Sequence, residues 1–93
     1  MYNVHIKIFN WDEDKNDWLR RERGVCFEDV LDCFQNGEFF GVFENPSANF
    51  PNQTVFLVRI DGYPHIVPFV ENEKEIFLKT IIPDRRFKKF IEE

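Results

Sequence analysis

The sequence predicts an α+β domain: an antiparallel sheet of four to five strands, two helices from the N-terminal half on one face, and a short C-terminal helix. Three observations support this fold class. The chain has 93 residues, so residues 1–93 are expected to form a single domain. Two helix patterns follow a short first strand, and from residue 38 onward apolar strands alternate with turns. The predicted element order is β-α-α-β-β-β-β-α.

The first strand and the two helices are indicated by alternation and by end signals. Residues 4–9 alternate apolar and polar side chains, which is typical of a strand. A helix over residues 13–23 is expected to begin after Asp12, whose carboxylate can accept from free N–H groups, and to end at Gly24. The second helix has Cys26 at its N-cap position, where a thiol is a weak capping group. Its core-facing stripe consists of Phe27, Val30, Leu31 and Phe34.

Four further strands are expected after the helices. They cover residues 38–44, 54–60, 65–70 and 75–82. Gly41 predicts a bulge or a close backbone contact within the first of them. Asp61 and Gly62 predict a type I′ hairpin turn between the second and the third, because both central positions of that turn need positive φ.

Two prolines and an aspartate shape the C-terminal third of the chain. Pro64 and Pro68 lack the N–H of a ladder hydrogen bond, so they predict that strand 65–70 lies at a sheet edge or contains a bulge. Asp84 is expected to cap a helix over residues 85–92, whose apolar residues have helical spacing.

Composition and charge exclude several classes of protein. The formal net charge is −5, whereas a simple basic DNA-binding module carries net positive charge. No apolar run approaches the roughly 18 residues of a membrane span, and the N-terminus lacks the pattern of a signal peptide. We therefore expect a cytoplasmic protein without membrane contact, in which Cys26 and Cys33 stay reduced.

The charge is unevenly distributed along the chain. Residues 25–78 contain two basic and nine acidic residues, a net charge of −7. Residues 79–93 contain five basic and three acidic residues, a net charge of +2, and three arginines lie near the end of the first helix. These basic residues either join in one area that binds a phosphate backbone or form two ordinary solvated helix faces. They are Arg20, Arg21, Arg23, Lys79, Arg85, Arg86, Lys88 and Lys89.

Three stretches of the sequence resemble the BrnT-like toxins. Residues 11–16 (WDEDKN), residues 23–30 (RGVCFEDV) and Phe34 are similar to the opening pattern of that family: W-D-x-x-K-N, a basic helix, H-G-V-S-F-E-E-A and V-F. Residues 79–86 (KTIIPDRR) occupy the place of the family's strand end, proline and basic residues before a terminal helix. The resemblance covers nearly the whole chain and is most specific in its N-terminal third.

The resemblance implies a fold, an activity and a partner. The fold would be RelE-like, and the activity would be that of a cytoplasmic, metal-independent endoribonuclease that cleaves mRNA. Such a chain is the toxin of a type II toxin–antitoxin pair. The partner would be a BrnA-like antitoxin whose ribbon-helix-helix domain binds operator DNA, so DNA would be contacted only through the antitoxin. No cofactor and no metal are implied.

Metal-independent RNA cleavage requires proton transfer and cations around the reacting phosphate. The 2′-OH attacks the adjacent phosphorus, so a base, an acid and positive charge on the phosphorane are needed. The catalytic candidates are Lys79, Arg85, Arg86 and Lys15. The candidates for RNA binding are Trp11, Arg20, Arg23, Lys88 and Lys89.

Each of these assignments has a structural alternative. Trp11 could stack on a base or cover the core at the start of the first helix. Lys79 could donate a proton or keep an edge strand soluble. Arg85 and Arg86 could brace a phosphate or flank an amphipathic helix. His65 is a further candidate for the general base.

Several positions depart from the family pattern. Arg23 stands where the family has His, Cys26 stands where it has Ser, and Phe77 and Ile82 occupy places where it often has Arg. These departures raise a second hypothesis: a catalytically degenerate relative that acts as a protein-binding module. The acidic central segment would then face a basic stretch of the partner.

Overall fold

A computed structural model describes residues 7–92 of the chain. Within that range the element order agrees with the sequence prediction, except that the last predicted strand is divided in two. None of the described helices is both long and apolar enough to cross a bilayer. The elements are β1 (Ile8–Asn10), α1 (Glu13–Arg23), α2 (Phe27–Gln35), β2 (Phe39–Glu44), β3 (Thr54–Ile60), β4 (Tyr63–Glu71), β5 (Glu75–Leu78), β6 (Ile82–Pro83), a 3-10 turn (Arg85–Phe87) and α3 (Lys88–Ile91). The predicted first strand began at residue 4, and residues 4–6 lie outside the described range.

The strands form one mixed sheet in the order β1-β5-β4-β3-β2, with β6 also paired to β4. The prediction of a purely antiparallel sheet is wrong at one edge, because β1 runs parallel to β5. Hairpins force the antiparallel pairings among β2, β3, β4 and β5. No hairpin joins β1 to β5. Helices α1 and α2 follow β1 in the chain, and the next strand, β2, lies at the opposite edge. The first strand is therefore free to pair in parallel.

Helices cover both faces of the sheet. On one face, α1 and α2 contribute Leu19, Phe27 and Val30 to a core that includes Phe56 and Val58 of β3. On the other face, the C-terminal helical segment contributes its own apolar side chains to a second core. That core consists of Val55, Leu57, Ile66, Phe87 and Ile91. Because β3 supplies alternate side chains to the two cores, nearly all of its residues are buried.

Strand β4 lies in the centre of the sheet, so the predicted edge position is wrong. The carbonyl groups of Pro64 and Pro68 accept hydrogen bonds from Asp84 N–H (3.1 Å) and Lys79 N–H (2.8 Å). Both prolines thus direct their backbone groups away from β3, and the absent N–H costs the β3–β4 ladder nothing. Sequence alone suggested an edge because it does not show which side of a central strand a proline faces.

The same two prolines divide the last predicted strand, residues 75–82, into β5 and β6. Pairing between β4 and β5 ends at Phe69 with Leu78, next to Pro68, which has no N–H to return to Lys79. Pairing resumes where Ile66 meets Ile82 and ends beside Pro64. Residues 79–81 therefore form an irregular connection across the middle of the sheet.

Local signals in the sequence are confirmed. The Asp12 carboxylate accepts from Asp14 N–H (2.8 Å) at the start of α1. Asp61 and Gly62 have φ values of 52° and 76°, as a type I′ turn requires. A register shift in the β2–β3 ladder at Gly41, whose φ is 119°, matches the predicted bulge.

The two cysteines are free thiols, as expected. Cys33 lies on the buried side of α2, and its Sγ donates to the carbonyl of Arg59 (3.3 Å). Burial raises the pKa of the Cys33 thiol to about 11, so the thiol stays protonated and acts as part of the core.

Helix α2 obtains its N-terminal hydrogen bond from α1. The fully buried Asn16 accepts from Phe27 N–H through Oδ1 (2.7 Å) and donates to Glu28 Oε1 through Nδ2 (2.8 Å). Asp29 Oδ2 accepts from Cys26 N–H (3.0 Å), which completes the start of the helix. The Asn16 side chain of α1 thus compensates for the weak thiol cap of α2.

We expect Asn16→Ala to lower the free energy of unfolding by about 1–3 kcal/mol, because the buried Phe27 N–H loses its acceptor. Urea denaturation provides the measurement, and amide exchange should accelerate at Phe27. Asn49→Ala, in the exposed loop after β2, is the matched control. A loss no larger than that of the control would contradict the bridging role of Asn16.

Candidate functional site

The sheet separates the predicted basic residues into two groups. Helix α1, which carries Lys15, Arg20 and Arg23, packs on the first core through Leu19. Helix α3, which carries the basic residues Lys88 and Lys89, packs on the second core, on the opposite face. A single basic area that includes both helices is therefore not formed.

Three side chains of α1 form a cationic and aromatic group, which we call the α1 cluster: Lys15, Trp18 and Arg23. The Lys15 ammonium lies 4.3 Å from the centroid of the Trp18 ring, and the Arg23 guanidinium carbon lies 5.0 Å from it. Trp18 is half-buried against the core beneath, so the ring is held in place while its neighbours remain charged. The cluster thus places two cations against one aromatic ring system.

The α1 cluster is tied to the connection between β5 and β6. Arg23 Nη1 donates to the carbonyl of Ile81 at 2.6 Å, a contact between residues far apart in the chain. That connection also carries Lys79, which is exposed and whose Nζ lies 5.8 Å from the Phe77 ring centroid. Of the predicted site residues, the structure thus assembles Lys15 and Arg23 with the segment that bears Lys79.

Two of the predicted cations are already paired with carboxylates. Arg86 donates to both oxygens of Asp84, at 2.9 and 2.7 Å. Arg20 donates to Asp17 at 3.0 Å and to Glu28 at 3.1 Å. A phosphate would have to displace these carboxylates, which makes Arg86 and Arg20 weaker candidates than Arg23. Arg85 is exposed in the 3-10 turn beside Arg86.

Hydrogen bonding shifts the pKa of two of these carboxyl groups. Arg86 donates to Asp84 and holds the pKa of that carboxyl below its usual range. For Glu28 the largest cause is the hydrogen bond from the Asn16 amide, and its pKa is also lowered. Both groups therefore remain ionised at neutral pH and keep the neighbouring cations compensated.

Trp11 is placed as part of the core. Its ring stacks on Phe27, with centroids 5.5 Å apart and planes at 28°. The indole Nε1 is buried and has no hydrogen-bond partner within residues 7–92. This position agrees with the alternative in which Trp11 covers the core, because the ring face that contacts Phe27 cannot also stack on an RNA base.

His65 is buried, with 8% of its surface exposed. Its Nδ1 lies 2.9 Å from the carbonyl oxygen of Tyr63, and burial lowers the pKa of the imidazole. The ring is therefore neutral at pH 7, but it lacks the access to solvent that a general base acting on RNA requires.

Sequence reasoning missed the functional potential of Trp18. Trp18 has no role in the sequence-based predictions, although Lys15 lies three positions before it on the same helix face. That spacing is the signal that could have revealed the cation–π contact. Among residues 7–92, no group of three or more His, Cys, Asp or Glu side chains is arranged to hold a metal ion.

The ion pair at the start of the C-terminal helical segment predicts a pH dependence. Asp84 caps this segment by accepting from Arg86 N–H (3.0 Å), and its lowered pKa means that the stabilisation is complete above its unfolded pKa, about 3.9. Stability should fall as pH falls below that value. In urea denaturation between about pH 6 and pH 2, we expect Asp84→Asn and Arg86→Ala each to flatten this fall. The double variant should be no flatter than Asp84→Asn alone, because Arg86 acts on this pH dependence through the Asp84 carboxyl; a double variant flatter than Asp84→Asn would contradict the coupling.

Comparison with known proteins gives no match. No protein-family model, no curated protein and no solved structure matches this chain.

Proposed function

We propose that this chain is a BrnT-like toxin with a RelE-like fold, a metal-independent endoribonuclease that cleaves mRNA in the bacterial cytoplasm. The observation that carries the proposal is the hydrogen bond from Arg23 to the Ile81 carbonyl. It attaches the exposed cationic end of α1 to the connection that bears Lys79, two residues from Ile81.

The proposed site comprises the α1 cluster and Lys79. Lys15 and Arg23 would hold the negatively charged phosphate, and the Trp18 ring would keep both cations in position. The 2′-oxygen attacks phosphorus as its proton passes to solvent water, the bond to the 5′-oxygen breaks to leave a 2′,3′-cyclic phosphate, and Lys79 supplies the proton that the leaving 5′-oxygen takes up. Positive charge around the phosphorane would supply most of the rate enhancement.

The proposed partner is a BrnA-like antitoxin with a ribbon-helix-helix domain that binds operator DNA. The acidic central segment, with a net charge of −7 over residues 25–78, supports a basic contact surface on that partner. RNA and the antitoxin would then use surfaces of opposite charge.

A second candidate function is a protein-binding module without nuclease activity. It is favoured by the internal pairing of Arg86 with Asp84 and of Arg20 with Glu28, which removes two of the predicted cations from RNA binding. The family's histidine position is also filled by Arg23, whose guanidinium is engaged with Ile81.

The decisive test of the first function compares variants on the two faces of the sheet. We expect the double variant Arg23→Ala with Lys79→Ala to lose about 100-fold or more of its RNA-cleaving rate, because the phosphorane loses two cations. Lys88→Ala with Lys89→Ala removes two charges from the opposite face and should retain activity. Cleavage of a defined RNA and growth after induction are the measurements, and urea denaturation checks that each variant is folded.

Two results would contradict the nuclease proposal. Unimpaired growth with intact RNA on inducing the parent chain would exclude it, and a tight complex with a protein partner would then favour the binding module. Equal activity of the two double variants would show that the site lies elsewhere.

A further inference from the structure

Strand β2 is an edge strand with free backbone groups. Within residues 7–92 its one sheet neighbour is β3. Asn45, directly after the strand, donates its N–H to the carbonyl of Gln53 on the β3 side (2.7 Å). Because successive residues direct their amide groups to opposite sides, Glu44 and Val42 direct theirs away from β3. Two N–H and two C=O groups are therefore available to a further strand.

The side chains along this edge are apolar and exposed. Val42 has 54% of its surface exposed and Phe39 has 37%. Phe39 lies against Phe34 of α2 (centroids 4.7 Å apart) and Phe56 of β3 (5.8 Å), so it extends the first core to the surface. Edge strands are often protected from further pairing by lysine, proline or a β-bulge. Strand β2 has no lysine or proline, and its bulge at Gly41 precedes the regular segment 42–44.

The surroundings of β2 are acidic on balance. Arg59 of β3 is paired with Glu38, and Lys89 lies over Phe90, the ring that contacts Phe43. Residues 25–58, which include α2 and β2, contain five acidic residues and no Lys or Arg. Glu44 is exposed at the end of the strand. At its other end, a surface depression of about 430 Å³ is lined by Asp29, Asp32, Glu38 and the paired Arg59. An approaching segment meets negative charge at both ends of the strand.

We infer that β2 is a docking edge for an extended basic segment of a protein partner, which adds to the sheet as a further strand. Main-chain hydrogen bonds to Val42 and Glu44 would give affinity, and alternate side chains would give specificity. Phe39, Val42 and Glu44 lie on the same face of β2. On that face the segment would present apolar side chains beside Phe39 and Val42 and a basic side chain beside Glu44. If the proposed function holds, the segment belongs to the antitoxin; the chemistry of the edge stands without RNA cleavage.

The negative charge around β2 favours a basic protein segment over a second copy of the chain and over RNA. A second copy of the chain would bring its own acidic edge against β2, and like charges opposite each other are destabilising. An RNA backbone would meet the same repulsion. A basic polypeptide segment satisfies the free amide groups, the exposed apolar side chains and the negative charge together.

The test uses synthetic ten-residue peptides in which Thr stands at every second position and the positions between alternate Val with Lys, so that one face carries both Val and Lys. Matched peptides have Glu in place of Lys. Binding to the full chain is followed by NMR titration and by amide exchange. We expect the lysine peptide to slow exchange at the amides of Val42 and Glu44 and to bind at least tenfold more tightly than the glutamate peptide. Affinity should fall as salt is raised from about 0.05 to 0.5 M.

Two variants and two matched controls locate the site. Glu44→Lys and Val42→Lys should each weaken binding of the lysine peptide about tenfold, since each places positive charge on the edge. Glu73→Lys in the turn after β4, and Val70→Lys at the exposed end of β4, make the same changes elsewhere and should leave affinity within twofold.

Several outcomes overturn the inference. They are the absence of protection at Val42 and Glu44 at millimolar lysine peptide, equal binding of the glutamate peptide, or protection caused by self-association of the chain. RNA cleavage measured in the same samples separates the two proposals. Binding at β2 without cleavage supports the docking edge while contradicting the nuclease, and cleavage without binding does the reverse.

Discussion

The arrangement of the helices depends on the buried carboxamide of Asn16. It lies on α1, yet both of its polar atoms are engaged at the start of α2, through Phe27 N–H and Glu28 Oε1. A buried amide must satisfy both ends, so its two partners determine where α2 begins and how it approaches α1. The first core, the stacking of Trp11 on Phe27 and the position of the α1 cluster all follow from that approach.

The residues that carry the family resemblance have structural explanations in this chain. Asp12 caps α1, Asn16 bridges the helices, and Trp11 covers Phe27. Lys15 is the member of that motif whose charge faces an aromatic surface. These residues therefore contribute to the architecture of this chain, and the proposed activity depends on Lys15, Arg23 and Lys79 rather than on the motif as a whole.

Local features of the fold could be predicted, and pairings distant in sequence could not. The Asp12 cap and the turn at Asp61 and Gly62 depend on neighbouring residues alone, and both are confirmed. The parallel pairing of β1 and the central position of β4 depend on where distant segments meet, so alternation and proline content do not reveal them. The site follows the same rule: the end of α1 was predicted as basic, but its contact with Ile81 spans 58 positions.

The prolines of β4 interrupt the hydrogen-bond ladder on one side of that strand. Between the end of β5 and the start of β6, residues 79–81 leave the ladder, while the Ile81 side chain stays buried in the first core. A carbonyl in an unbroken central ladder would be occupied by a neighbouring strand, but here the Ile81 oxygen receives a guanidinium from a helix. The interruption of the sheet is thus also its point of attachment to α1. A missing N–H in one strand ultimately determines where a charged side chain of another element is held.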